Sequence, residues 1–382
     1  MSKYLVSLVL LLALTGCVSI GPNRVQIDRG VYNTIVRDTD EEQLLINIVR
    51  QRYLEATQYL QITSLTASYS INSTLGASVG ASTSNAPTTW SPSLSPSVSY
   101  ADTPTISYIP LTSNEFSNSL MTPTTMSNLI LLAHAGRYDG GMLTKIFFEQ
   151  YGGTVGDLVN INGVEYANLE FKKYAEIQNT LAALYKTNDF VIPRPVSIGK
   201  EMGVMCKFRD GHGQSKEALK LKKLLKVPAS AKEIIFLESP LLQVLEVKDG
   251  EFVKEPRQLP KNVTYVKLRS LYAIITLLGR GVQIPPEDIK AHRTRELRRP
   301  DGSFYNWTNE MKDIITIYSS KDEPFDDVLI KGKVHGHWFY IKASDPASKD
   351  TFIAVFRLYT LTSATADSAN TQPVLTIPVA AA

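Results

Sequence analysis

The chain reads YSINSTLGASVGAS at 69–82 and, after the turn-rich Asn85-Ala86-Pro87, WSPSLSPSVSY at 90–100. In the first run Tyr69, Ile71, Leu75, Ala77, Val79 and Ala81 take one set of alternate positions, with Ser73 the polar exception. Ser70, Asn72, Thr74, Gly76, Ser78, Gly80 and Ser82 take the other set. In the second run Trp90, Pro92, Leu94, Pro96, Val98 and Tyr100 alternate with serines. A period of two marks a strand with one apolar and one polar face. The pair predicts a β-hairpin with long arms, and the only charge near it is Asp102.

Two environments accept such a hairpin. In one, the polar face meets solvent and the apolar face covers a protein core or a partner. In the other the hairpin enters a bilayer, where each arm needs about 9–11 residues and aromatic side chains flank the lipid-facing band. Tyr69, Trp90 and Tyr100 sit where those girdles belong. A lone hairpin leaves its edges unpaired in lipid, so the membrane reading requires several subunits, each donating one hairpin to a shared barrel. Pro92 and Pro96 each delete a ladder donor, which sheets tolerate mainly at edges. Both environments remain open. Each predicts that the face carrying Tyr69, Ile71, Leu75, Val79, Trp90, Leu94, Val98 and Tyr100 is covered by membrane or by a partner.

Outward from this segment, the N-terminus is informative. Lys3 precedes an apolar run from Leu5 to Leu14, and Leu14-Thr15-Gly16-Cys17 follows. A basic start, a short apolar core and small residues before the cut make a secretory signal over 1–16, too short to span a bilayer as a helix. The last four residues resemble the lipobox of bacterial lipoproteins, so Cys17 is the expected lipidation site and 17–30 a lipidated polar tether. Several acyl chains hold a protein on a membrane essentially permanently. Val18 stands where an aspartate would resemble an inner-membrane retention signal. The expectation is therefore an outer-membrane lipoprotein with its body facing the periplasm.

Without Lys3, the 40 Lys+Arg become 39, against 37 Asp+Glu. A near-neutral chain has no global field to attract nucleic acid. With Cys17 acylated, Cys206 stands alone, so the fold rests on burial rather than on a disulfide. Thr39-Asp40-Glu41-Glu42 reads as a capping box opening a helix over about 40–55, with Leu44, Leu45, Ile48 and Val49 on one face. Thr112-Ser113-Asn114-Glu115 opens another, closed by Pro123, and 126–135, 168–186 and 269–278 read as further helices. Strands are predicted at 143–149, 233–237, 314–318, 328–331 and 335–342, and Asp345-Pro346 caps a helix to about 361. A loose stretch at 362–372 then precedes a strand at 374–379. Helices and strands alternate without a βαβ rhythm, so the class is α+β, mixed helices with antiparallel sheet. The expected division is a lobe at 31–190, containing the hairpin, and a second at 191–382.

Catalytic patterns are weak. Ser197-Ile198-Gly199-Lys200 matches S-x-x-K, but no K-T-G follows. His335 and His337 share one strand face without a third ligand in sequence, and His134 and His212 lack a neighbouring carboxylate. No catalytic residue, metal or cofactor is expected. Two basic stretches are surface candidates: Lys216, Lys220 and Lys223 on a helix over 216–226, and Arg293, Arg295, Arg298 and Arg299 before a Pro300-Asp301-Gly302 turn. Each could attract anionic lipid or an acidic partner, or be a solvated face.

Five stretches carry a resemblance: DEEQLLINIVRQRY (40–53), TISYIPLTSNEF (105–116), RSLYAIITLLGRGVQIP (269–285), GHWFYIKASDPASKDTF (336–352) and PVLTIPV (373–379). In that order the chain resembles a widespread family of uncharacterised bacterial envelope lipoproteins. The resemblance implies a lipoprotein with one integrated architecture and brings no activity or catalytic residues. The expectation is a non-catalytic subunit or accessory of an envelope assembly such as a secretion or export complex, binding envelope proteins or further copies of itself. The rival is an envelope hydrolase acting on cell-wall or sugar material.

Overall fold

A computed structural model describes residues 20–367, apart from 83–88, 112, 137, 153, 156–158, 162–163, 167–168, 191–192, 200, 239–245, 249–250, 254–259, 295–302 and 304–306. Cys17, the signal and the strand expected at 374–379 lie outside the described residues. Helices combine with mostly antiparallel sheets, so the α+β class holds. The chain divides into two compact units, Gln58–Thr112 and the remainder.

The smaller unit is the hairpin, β1 (Leu60–Ser82) against β2 (Thr89–Pro110), an antiparallel pair on its own. Its arms, of 23 and 22 residues, run well beyond the alternation at 69–82 and 90–100.

In the larger unit, α1 runs from Ile20 to Arg52. The helix expected to start near residue 40 thus starts upstream. The capping box lies inside a helix that begins upstream, and the Thr39 hydroxyl bonds back to the Ile35 and Val36 carbonyls, both at 2.9 Å, instead of capping. The predicted apolar face is right: Leu44, Leu45, Ile48 and Val49 are fully buried. Next come α2 (Asn114–Met121), α3 (Met126–Gly136) and α4 (Gly140–Phe147). The true cap of α2 is Ser113, which accepts from the Phe116 N–H at 3.1 Å. The strand expected at 143–149 is mostly α4. Asp139 accepts from the Gly141 N–H at 3.1 Å and starts a helix there, and only β3 (Phe148–Tyr151) is extended. A short apolar run does not decide between the two by itself.

Short strands β4 (Thr154–Val155), β5 (Val159–Ile161) and β6 (Val164–Tyr166) lead to α5 (Leu169–Lys186). Tyr174, Ile177, Leu181 and Leu184 form its buried face. Strands β7 (Arg194–Ile198) and β8 (Glu201–Lys207), α6 (Lys216–Leu225) and β9 (Glu233–Glu238) follow. Beyond the small β10 (Glu246–Lys248) and β11 (Glu251–Val253) comes β12 (Val263–Leu268). One sheet has the order β4-β3-β12-β9-β8-β7, parallel only between β12 and β9. It takes strands from both sides of residue 190, so the expected lobe boundary there is not a division of the fold.

The remaining elements are α7 (Leu271–Gly279), α8 (Pro286–Lys290), α9 (Trp307–Met311) and α10 (Pro346–Asp367). They frame a sheet of β13 (Tyr318–Ser320), β15 (His337–Lys342) and β14 (Val328–Val334), in that order. The strand expected at 314–318 shrinks to β13, with only a bridge from Ile317 to Val282 before it. Asp345 caps α10 as predicted, accepting from the Ser348 N–H at 3.2 Å. That helix continues to Asp367, into the stretch read as loose, whose remainder at 368–372 lies outside the described residues. Two glycines permit the close packing against α1. A Cβ on Gly279 would stand 3.2 Å from the Ile48 carbonyl, and one on Gly332 only 2.9 Å from Ile46 Cγ1.

A buried arginine ties the sheet to α4. Arg269 is 3% exposed, and its Nη1 donates to the carbonyls of Lys145, Ile146 and Phe148 at 3.1, 2.9 and 2.8 Å. Nη2 donates to the Tyr174 hydroxyl at 3.1 Å. Two of these carbonyls belong to the last turn of α4, where backbone acceptors have no intrahelical partner and the helix dipole favours a cation.

Candidate functional site

The hairpin is the feature that the larger unit's own packing does not explain. Its register sets apolar against apolar: Ile71 faces Tyr100, Leu75 faces Pro96, Ala77 faces Leu94, Val79 faces Pro92 and Ala81 faces Trp90. Polar positions face one another with equal regularity, as Asn72 with Ser99, Thr74 with Ser97 and Ser78 with Ser93. Thr74, Gly76, Ser78, Ser95, Ser97 and Ser99 are exposed, so the polar face meets solvent.

Towards the base, a register shift between Ile62 and Ser64 does something the alternation hides. A one-residue slip exchanges the faces of everything beyond it. In β1 the apolar positions are odd-numbered from Leu65 upward but even-numbered at Leu60 and Ile62. The bulge absorbs that change of phase, so Leu60, Ile62 and Leu65 stay on one face, opposite Pro110, Tyr108 and Ile106. The apolar face therefore runs the length of the hairpin, about 70 Å at ~3.3 Å per residue, interrupted at Ser73 and Asp102. Sequence reasoning missed this because a strict period-two search stops at the phase break. The detectable signal was a second alternation, out of phase, ending at Thr63. At the base Leu60, Ile106 and Tyr108 are 40%, 37% and 55% exposed. Asp102, opposite Tyr69, is the only charge from 58 to 112.

Pro92, Pro96, Pro104 and Pro110 share one parity, so the donors they delete all lie along one edge of β2. An unbroken ladder with β1 places that edge outward. Prolines there blunt indiscriminate edge pairing.

The other sequence candidates resolve as follows. Lys216, Lys220 and Lys223 are exposed on α6, Lys220 bonding Glu176 at 2.8 Å. Lys222, between them, turns inward and donates to the Gly213 and Ala229 carbonyls at 2.6 and 3.0 Å. Arg293 is committed to Asp288 at 2.8 Å, while Arg295, Arg298 and Arg299 lie outside the described residues. Asp288 is fully buried and also accepts from the Tyr53 hydroxyl at 2.5 Å, tying the end of α1 to α8. Burial and that bond push the Tyr53 hydroxyl up, keeping it a donor. His335 and His337 do not converge: His335 bonds Glu55 at 2.6 Å and His337 bonds Glu287 at 2.8 Å. Among the described residues no group of three or more His, Cys, Asp or Glu could hold a metal. His212 finds Asp189 at 2.7 Å, a pairing that sequence proximity did not show. Ser197 is exposed on the edge strand β7 and Lys200 lies outside the described residues. No described helix is long and apolar enough to cross a membrane.

Comparison of the chain with protein-family models, curated proteins and solved structures finds no match.

Proposed function

We propose that this chain is a non-catalytic lipoprotein, anchored in the outer membrane through Cys17, that serves as a subunit of an envelope assembly such as a secretion or export complex. Several copies each donate a hairpin to a shared transmembrane barrel. The observation that carries this reading is the two-faced register of the hairpin, continuous from Ser64 to Ser82.

From Ile71 to Ala81, and from Trp90 to Tyr100, each arm presents 11 residues in mutual register. Tilted by about 45°, that length gives a band ~25 Å tall, the apolar height of outer-membrane barrels. Trp90 stands at one end of the band and Tyr69 with Tyr100 at the other; Asp102 comes just beyond. The opposite face, serine, threonine, asparagine and glycine, would line the interior. Closure gives each open edge a partner, as a hairpin in lipid requires. A neighbour's carbonyls opposite Pro92 and Pro96 then draw water from the polar side. The exposed lysines of α6 leave a surface for anionic headgroups or acidic partners.

Deleting residues 70–99 tests the assembly. The variant should stay folded and membrane-bound but run as a monomer in detergent, where the intact chain runs as a large complex. A deletion variant with the native mass and the native set of co-purifying proteins refutes the role. Cys17→Ala tests the anchor: the protein should leave the outer-membrane fraction. Unchanged fractionation would mean that lipid is not what holds it.

A further inference from the structure

Inside the larger unit, α3, α4 and α5 cover one face of the six-stranded sheet but do not fill the space against it. A cavity of about 380 Å³ remains, within the range of small-molecule sites. Protein interiors are otherwise packed like organic crystals, so a hole of this size sets this part of the core apart. The wall is apolar, with Leu129, Phe148, Leu181, Val204 and Phe236 contributing, and no Lys, Arg, Asp or Glu among its described residues. The nearby Arg269 is spent on three backbone carbonyls and a phenol. Exposed His134 and Asn188 place the mouth between α3 and the end of α5.

Deep in the wall the polar groups include the Cys206 thiol and the Tyr151 and Tyr185 hydroxyls. Burial pushes the Cys206 thiol up to about 12, and its sulfur lies 3.7 Å from the Tyr185 hydroxyl. Tyr151 is 1% exposed, and its hydroxyl interacts with Thr144 without a hydrogen bond of normal geometry. A buried hydroxyl so poorly paired is destabilising, and a ligand oxygen can complete its bonding.

We propose that this cavity binds an uncharged, largely apolar small molecule carrying one hydrogen-bonding oxygen, which Tyr151 recognises. The inference does not rest on the assembly role, because it concerns the other unit.

Cys206 on the wall reports occupancy. Its modification by N-ethylmaleimide is followed by peptide mass spectrometry on the full chain in lipid nanodiscs, at matched free concentrations of 2-naphthol, 1-decanol or naphthalene. Saturating 2-naphthol or 1-decanol should slow modification at least tenfold. Protection by 2-naphthol alone assigns a compact aromatic, and by 1-decanol alone a chain. Ala133→Trp, filling the cavity from α3, should abolish the probe's effect. Should that variant not fold, Val204→Phe fills it from the sheet. Tyr151→Phe should weaken the oxygen-bearing probes about tenfold and leave naphthalene unchanged. Two outcomes overturn the proposal: no protection by either oxygen-bearing probe, or equal protection in a folded cavity-filled variant. Where the buried thiol does not react, the melting temperature is read in its place, and no rise with either oxygen-bearing probe overturns the proposal as well.

Discussion

The two units of this chain handle polar and apolar groups in opposite ways. The larger unit satisfies its buried charges from within: Arg269 is used up on carbonyls, Asp288 on Tyr53 and Arg293, Lys222 on two backbone oxygens. The hairpin avoids charge almost entirely and leaves two strand edges without a neighbour in its own sheet. A two-stranded hairpin is marginal by itself in water. The difference teaches where each unit can draw stability: internal bonding in one and, under the proposed function, association in the other.

The most damaging test of this contrast is to remove an internal tie. Arg269→Ala strands three buried carbonyls and should lower the unfolding free energy by about 3–5 kcal/mol, the range for breaking a buried charged network. Chemical denaturation measures it. A change below about 1 kcal/mol would mean that the network contributes little and the contrast is overdrawn. Phe339→Ala belongs to the same class, since its side chain is fully buried beside Tyr53, and should cost about 3–5 kcal/mol. Trp338→Ala should cost clearly less. Trp338 is only half-buried, with Lys331 and Lys333 ammonium groups 5.6 and 5.5 Å from its ring centre.

The hairpin calls for the reverse experiment. An arginine on the apolar register should cost about 2–4 kcal/mol at Leu75, beside the middle of the 71–81 band, and less at Val79, nearer its end. Ser95→Arg, on the exposed polar register, should leave assembly intact. The readout is the fraction of protein in the large complex, with the melting of the larger unit as the control. If Leu75→Arg assembles normally, or if it melts the larger unit too, the two units are not distinct in the sense argued.

How much of this was legible in advance depended on whether the signal was local. The faces of α1 and α5, and the register of the hairpin's upper half, follow from periodicity within a dozen residues; α6 follows it too except at Lys222, which turns inward. The six-stranded sheet was not legible, because β3 pairs with β12 more than 110 residues later and only packing chooses that partner. Thr39 misled because a capping box specifies a helix start only when the preceding residues are not helical. The hairpin's lower half was hidden by one inserted residue at the bulge. The cavity had no sequence signal, since its wall is drawn from five separate segments of ordinary apolar residues.

A gentler probe returns to the larger unit. Ser270 caps α7 by accepting from the Ala273 N–H at 3.2 Å. Ser270→Ala should cost about 1 kcal/mol, seen as a small drop in melting temperature with assembly unchanged. A loss of assembly instead would tie α7 to the hairpin's partners.

The smallest effect is expected from acid, and it separates the units by composition. Asp327 accepts from both the Ser344 N–H and hydroxyl, and these bonds hold its carboxyl below the ordinary 3.8. Glu287 is held below 4.5 by its own backbone N–H and by His337. A carboxylate depressed in the folded state contributes stability that is complete above its unfolded value and is lost as pH falls through its folded one. Both groups are solvent-exposed, so the contribution is small. The larger unit should therefore lose a little stability as pH drops below about 4.5, and Asp327→Asn with Glu287→Gln should flatten that limb. The hairpin, with Asp102 its only titratable carboxylate, has almost nothing to protonate. Assembly measured on the flattened double variant should stay level over the same range. An acid-induced dissociation that persists in that variant would show that the complex is held by carboxylates elsewhere, not by an uncharged hairpin.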